Sequence, residues 1–347
     1  MRNYLLIGDP HFKKDNLNIM KDVCMEIISL IKEQNFDKVI CLGDTLDRHA
    51  TLDQLAKKAA EDFFITISKI TPLVILIGNH DRINDRDFLS DISPFYVMKF
   101  IPNITVVDST TWIDDEIYVP YVEPGKFLDA LKIINYDPSV DGIKHPRFIF
   151  AHQEFKDSQM GSVKSIKGDI WKIEYPTVFT GHMHEYQVLP QGIICVGSLI
   201  QNKFDNHHDK ALIILNFDNT EHKYVRYHLK SAPRTLILKF TQNDLDDFED
   251  KIRNYLNDDT DLRIKVKLHL TPSESTSIKK DLRFQKLKQM VSVIDIHTDI
   301  RECSQVERII NDLTTKSGRI PKLDQVILSM LDPTEQDLFS TEILTTV

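Results

Sequence analysis

Four short polar clusters stand in order along this chain: Asp9-Pro10-His11, Gly43-Asp44-x-x-Asp47, Gly78-Asn79-His80-Asp81 and Gly181-His182-Met183-His184. Each lies at or near the end of a short apolar run. Runs that are apolar at nearly every position read as strands buried on both faces, and 4–7, 38–42, 73–77 and 147–151 have that texture. Open α/β sheets gather their functional groups in the crevice at the carboxyl ends of the strands. The four clusters and His152 can therefore meet, although the sequence spreads them widely.

Between the first two runs, Asp15 or Asn16 can cap a helix with Leu17, Met20, Val23, Ile27, Leu30 and Ile31 on one face. Residues 52–68 are again helix-like. Strand, helix, strand, helix, strand predicts an α/β sheet layered by helices. After Gly192 the texture changes: 193–196, 211–217 and 223–229 are strand-like without long helices between them, suggesting a second sheet packed on the first. Pro233 marks a boundary. Beyond it, 235–240 (strand), 243–256 (helix), 262–270 (strand), 277–290 (helix) and 291–296 (strand) form a compact α+β unit. In the last stretch 323–331 and 333–344 read as short helices. Val326, Ile327, Met330 and Leu331 make one apolar stripe there; Leu338, Phe339, Ile343 and Leu344 make another. Three parts follow: 1–232, 233–300 and 301–347.

At 347 residues, 41% hydrophobic and 27% charged, the chain has the means for a substantial core. No apolar run approaches the roughly 20 residues of a membrane helix. The first strand starts almost at Met1 and carries the first cluster, so removal of a leader would destroy it; a cytoplasmic location away from membranes is expected. Cys24, Cys41, Cys195 and Cys303 are widely separated, and Cys41 and Cys195 read as small core residues in a reducing compartment. A net charge of −9 argues against a generally adhesive nucleic-acid binder but leaves room for a local basic track.

Hard divalent cations prefer oxygen and imidazole donors, and two of them held about 4 Å apart need a shared carboxylate. Asp44, isolated between a glycine and a turn, is the candidate bridge. Asp9 and His11 can face one cation if the chain bends at Pro10. Asn79 offers a carbonyl oxygen, and Gly78 lets the backbone approach closely. His182 and His184 can divide between the two cations. Taken singly, Asp-x-His is more often an ordinary loop, and His152 a satisfied core histidine. Five such features in order point to metal-assisted phosphoester hydrolysis. The pair His207-His208 reads as a solvated loop; His49, His145, His222, His228, His269 and His297 are left without a role.

The series DxH, GDxxD, GNHD, H, GHxH resembles that of the calcineurin-like metallophosphoesterase superfamily. The resemblance implies a two-sheet βαβ sandwich flanked by helices, holding two divalent metal ions, Mn2+ first and Mg2+ as the alternative. It implies Asp9, His11, Asp44 and His184 around one ion, and Asp44, Asn79, His152 and His182 around the other. It makes His80 the catalytic histidine, oriented and charged by Asp47, and gives Asp81 a part in fixing the loop. The implied reaction is direct displacement at phosphorus by an activated water, with His80 stabilising or protonating the leaving oxygen. Serine/threonine phosphatases of the superfamily carry GDxVDRG and GNHE, which this chain lacks.

Cyclic-nucleotide phosphodiesterases share GNHD and GHxH but usually stop soon after the catalytic domain, whereas more than a hundred residues follow Pro233 here. Gly197-Ser198-Leu199-Ile200, Phe204-Asp205 and Lys210-Ala211-Leu212-Ile213 are similar to the end of the nuclease domain in the SbcD family, whose members work with an SMC-like ATPase in DNA recombination, repair or replication. That implies a DNA exo/endonuclease with an α+β capping domain and a helical tail for the ATPase; a homodimer is expected. Candidate contacts to a DNA backbone are Lys13, Lys14, Arg48, Arg82, Lys164, Lys167 and Lys203, and in the cap Lys279, Lys280, Arg283, Lys286 and Lys288, several of them on one helix face. Two alternatives stay open. One is a cyclic-nucleotide or other small-molecule phosphodiesterase; the other, a metal-binding scaffold, is disfavoured because His80 and Asp47 are both present.

Overall fold

The computed structural model describes residues 1–161, 163–201, 210–253 and 262–298. The expected tail over 301–347, and Lys203, His207 and His208, lie outside the described residues.

In chain order the elements begin β1 (Arg2–Ile7), α1 (Leu17–Gln34), β2 (Lys38–Cys41), α2 (Gln54–Ser68), β3 (Leu73–Leu76) and β4 (Ile104–Val107). There follow β5 (Thr111–Ile113), β6 (Glu116–Val119), α3 (Phe127–Lys132), β7 (Phe148–Ala151) and a small hairpin of β8 (Gln159–Met160) and β9 (Val163–Lys164). Then come β10 (Val178–Thr180), β11 (Gln187–Leu189), β12 (Ile193–Cys195), β13 (Leu212–Phe217) and β14 (His222–Tyr227). The last are β15 (Arg234–Thr241), α4 (Phe248–Arg253), β16 (Leu262–Leu270), α5 (Pro272–Ser277), α6 (Leu282–Met290) and β17 (Val293–Thr298).

Two six-stranded sheets are built, β14-β13-β1-β2-β3-β4 and β11-β12-β10-β7-β6-β5. In each, four strands are parallel: β1 to β4 in the first, and β6, β7, β10 and β12 in the second. Alternation along these strands sorts the side chains into layers. Tyr4, Leu6, Ile40, Leu42, Val74 and Leu76 pack with Tyr118, Phe148, Phe150 and Phe179 in one cluster. Leu5, Ile7, Val39, Cys41, Leu73 and Ile75 meet Val23, Ile27 and Ile31 of α1 and Ala60, Phe63 and Phe64 of α2. Ile117, Val119, Ile149, Ala151 and Val178 meet Phe127, Ala130 and Leu131 of α3. This is an α/β sandwich with helices outside.

The strands at 4–7, 38–42, 73–77 and 147–151 all form, but not in one sheet. β7 lies in the second sheet, whereas β13 extends the first by antiparallel pairing to β1 and β14 by antiparallel pairing to β13. Only long-range pairing decides this, because a fully apolar strand suits either sheet equally. The α1 cap also differs. The Asn16 side chain accepts from the Lys13 N–H and donates to the His11 carbonyl, so it braces the first cluster rather than the helix. Helix α2 starts at Gln54, where the Asp53 carboxylate accepts from the N–H groups of Leu55 and Ala56.

The chain divides into two compact units, the first running through Leu236 and taking in the start of β16 through Arg263, the second holding the rest from Ile237. The second carries β15-β16-β17 with α4, α5 and α6. Along β16, Ile264, Val266, Leu268 and Leu270 are buried. The helix expected over 243–256 is a 3-10 turn at Asn243–Leu245 followed by α4. The helix expected over 277–290 is broken as well: α5 and a 3-10 turn at Ile278–Lys280 are followed by extended Asp281, which caps α6.

Candidate metal centre

The chain leaves β1, β2 and β3 through Gly8-Asp9, Gly43-Asp44 and Gly78-Asn79, and leaves β7 and β10 through His152 and Gly181-His182. All five exits lie at the carboxyl ends of parallel strands, so both sheets deliver donors to one place. Close approach demands the glycines: a Cβ on Gly78 would overlap the backbone and carboxylate of Asp44, and one on Gly43 would overlap the His152 ring. His11, Asp44 and His182 adopt left-handed backbone, with φ of 47°, 47° and 72°. Such conformations cost about 1–3 kcal/mol each and gather at functional sites.

Two donor groups result, Asp9 with His11 and His184, and Asp44 with His152 and His182. In the first, His11 Nε2 is 2.9 Å from His184 Nε2, which is 4.0 Å from Asp9 Oδ2. In the second, the Asn79 Oδ1 is 3.1 Å from His152 Nε2 and 2.9 Å from His182 Nδ1. Asp44 faces both groups, with Oδ1 3.3 Å from His152 Nε2 and Oδ2 3.9 Å from His11 Nε2. Ring orientation is fixed from behind. His152 Nδ1–H donates to the Leu42 carbonyl at 2.7 Å, which turns Nε2 inward. The fully buried Asp81 accepts from the N–H groups of Thr45, Leu46 and Gly78, tying the Asp44 loop to the Asn79 loop.

The residues fit a divalent pair. Among the described residues, Asp9 Oδ2 and His11 Nδ1 are buried without a hydrogen-bond partner, and unpaired buried polar atoms are costly unless something else meets them. Asn79 sets its amide against Asp44, His152 and His182; its oxygen suits a cation there, and without one its nitrogen donates to Asp44 and His182. Burial, reinforced by His184 and His80 against the pull of Asp44, pushes His11 down to about 3. Burial and His152 do the same to His182, so both rings are neutral, as metal ligands must be. Burial opposes charge on His152 and Asp44 as well. Their mutual attraction overcomes it, holding Asp44 far below the usual carboxylate range and lifting His152 to about 9. Without a cation, the cluster balances its carboxylates with a proton.

His80 stands beside this cluster, its Nε2 3.9 Å from Asp44 Oδ2. Its partner is not the one expected. His80 Nδ1–H donates to the main-chain carbonyl of Asp47 at 2.7 Å, while the Asp47 carboxylate pairs with Lys13 Nζ at 3.1 Å. The basic track is also revised. Arg82 is 4% exposed, its guanidinium donating to the carbonyls of Tyr121 and Asp87, so it is a structural anchor and not a DNA contact. Arg283 is bound to Asp281 and Asp246, which neutralise it, and Lys286 is paired with Glu249. Lys279 and Lys280 lie on the 3-10 turn before Asp281, so they do not share a helix face with Arg283. Arg48 is exposed beside the site. Two neighbours were missed. Glu154 Oε2 is 4.0 Å from His182 Nε2, and only its position two residues after His152 could have suggested it. His49 stacks on His80.

The calcineurin-like phosphoesterase family model matches residues 3–210. Over 223 residues the chain is 37% identical to "Putative phosphoesterase 244L" of Invertebrate iridescent virus 6, covering 62% of this chain and 77% of the relative. Over 244 residues it is 32% identical to "Putative phosphoesterase 078R" of Invertebrate iridescent virus 3, covering 69% of each. Among solved structures, the nuclease MPE of Pseudomonas putida aligns at 16% identity over 61% of this chain and 83% of that one. The TM-score is 0.31. The family match spans more than half of the sequence and delivers the donor clusters to one site: this chain belongs to the calcineurin-like phosphoesterases.

Proposed function

We propose that this phosphoesterase is a DNA exo/endonuclease that uses two divalent cations, manganese first, and works with an SMC-like ATPase. The observation that carries the hydrolytic part is Asp44, whose two oxygens face the two donor groups. Asp9, His11 and His184 would share one cation with Asp44; Asn79, His152 and His182 would share the other. Such a pair supplies Lewis acidity and brings the pKa of a water toward neutrality. His80, with Nδ1 bound to the Asp47 carbonyl, keeps Nε2 on the site side to stabilise or protonate a leaving oxygen.

A polynucleotide is supported by the second unit. On β16, partly exposed Lys265, Lys267 and His269 alternate with buried Val266, Leu268 and Leu270. Lys265 is shared with Asp295, and the row suits a phosphate backbone. The ATPase partnership rests on the SbcD-like segment around Gly197 and Lys210. Exposed Ile92, Tyr96, Val97 and Phe100, the last 74% exposed, support self-association into a homodimer. No described helix is long and apolar enough to cross a membrane.

The decisive experiment incubates Mn2+-loaded protein with duplex DNA, single-stranded DNA, bis-p-nitrophenyl phosphate and cyclic AMP. Cleavage of DNA and the aryl diester with cyclic AMP intact is expected. Intact DNA beside rapid cyclic AMP hydrolysis would replace the nuclease by a small-molecule phosphodiesterase.

A further inference from the structure

We propose that His49 is a positioning residue for His80, holding the ring by face-to-face stacking. The inference rests on His80 acting as the proton-donating histidine of the proposed site. The two imidazoles lie 4.3 Å apart between centroids with an interplanar angle of 28°. On another side, His11 meets the His80 ring nearly perpendicular, at 5.0 Å and 89°. His49 Nδ1 lies 3.3 Å from Asp85 Oδ1, outside hydrogen-bond geometry.

His80 needs such a neighbour. Its single ring hydrogen bond among the described residues, Nδ1 to the Asp47 carbonyl, fixes one nitrogen but leaves the ring free to tilt about that contact. A tilt of roughly 30° swings Nε2 by about 1 Å, and misplacement on that scale can cost about a hundredfold in rate. A flat ring packed on one face suppresses that tilt. The two loops that carry His49 and Asp85 are themselves pinned together. Ala50 N–H donates to the Arg82 carbonyl, and the buried Arg82 guanidinium holds the Asp87 and Tyr121 carbonyls. Arg82 thus anchors the loop that presents Asp85. The His49 side chain is 33% exposed and that of Asp85 51% exposed, so the pair contributes little buried area to stability. Its geometry is aimed at His80.

The test uses the full chain with Mn2+ and bis-p-nitrophenyl phosphate. His49→Ala should lower kcat about tenfold or more, leaving KM and Mn2+ affinity within about twofold of wild type. His49→Phe keeps a stackable ring without the Asp85 contact and should restore kcat to within about threefold. A second readout needs no turnover. In metal-free protein labelled with 15N-histidine, the His80 ring signals, identified by their loss in His80→Asn, should move in His49→Ala and return toward wild type in His49→Phe. The proposal is overturned by an unchanged kcat in His49→Ala, by equal losses in the Ala and Phe variants, or by a change confined to KM. If His49→Ala does not fold, His49→Gln replaces it with the same expected and refuting results. A wild-type protein that leaves the diester intact would sink the hydrolytic reading on its own, and the ring signals would then decide on His49.

Discussion

At the amino ends of β1, β2 and β6, opposite the candidate metal centre, Glu116 is fully buried and its carboxylate is the hub of a polar cluster. It receives Lys38 Nζ at 3.1 Å, Tyr4 OH at 3.0 Å, Arg2 at 3.3 Å and Tyr118 OH at 3.5 Å. Among the described residues Lys38, 7% exposed, has besides Glu116 only Tyr118 OH at 3.2 Å, Asp114 at 3.4 Å and the rings of Tyr4 and Tyr118. Asp114 is 59% exposed, so it compensates weakly. Glu116→Gln should therefore leave Lys38 buried and largely unpaired, at a cost of about 3–5 kcal/mol. In a unit of this size each kcal/mol lowers Tm by about 2–4 °C, so a fall of roughly 10 °C is expected. Lys38→Met should cost less, about 2–3 kcal/mol, because Arg2 and two tyrosine hydroxyls remain on Glu116. The double variant Lys38→Met/Glu116→Gln removes both charges and should recover at least about 2 kcal/mol of the summed loss. Urea unfolding of all four proteins measures the cycle. Single variants within about 1 kcal/mol of wild type, or strictly additive losses, would refute the claim that these charges depend on each other.

Three further expectations concern the site. Asp44→Asn should weaken both Mn2+ sites in a calorimetric titration, whereas His80→Asn should retain Mn2+ and lose turnover; loss of Mn2+ by His80→Asn would make it a ligand instead. Because the carbonyl and not the carboxylate of Asp47 holds His80, Asp47→Ala should lower kcat by less than about tenfold, and a loss matching that of His80→Asn would contradict this geometry. His152, lifted to about 9 by Asp44 and Asp9 against the effect of burial, carries a proton at pH 7 that a ligand imidazole must lose. Raising pH removes that competing proton and the one that burial leaves partly on Asp9, held up at about 7. Mn2+ should therefore bind more tightly from pH 7 toward 9, releasing between about one and two protons at pH 7. Titrations in buffers of different ionisation enthalpy measure that release; none would show His152 already neutral.

What the sequence alone determined is local in origin. Apolar runs mark strands buried on both faces, and a glycine followed by a carboxylate, amide or imidazole at their ends marks where donors emerge, since both signals need only neighbouring residues. Asp9, Asp44, Asn79 and His182 were legible for that reason, and His152 by its place directly after an apolar run. The tertiary structure decided what depends on distant partners. A run such as Phe148–Ala151 suits either sheet, and its place in the second was set by pairing with β6 and β10. The support of His80 comes from a main-chain carbonyl, a group every residue carries and no sequence pattern can single out. Arg82 and Arg48 are the same residue type near the same motifs, yet one is buried on carbonyls and the other is exposed, because burial is decided by everything packed around a side chain. The left-handed backbone at His11, Asp44 and His182 has the same origin: strain at non-glycine residues persists only where the assembled structure enforces it.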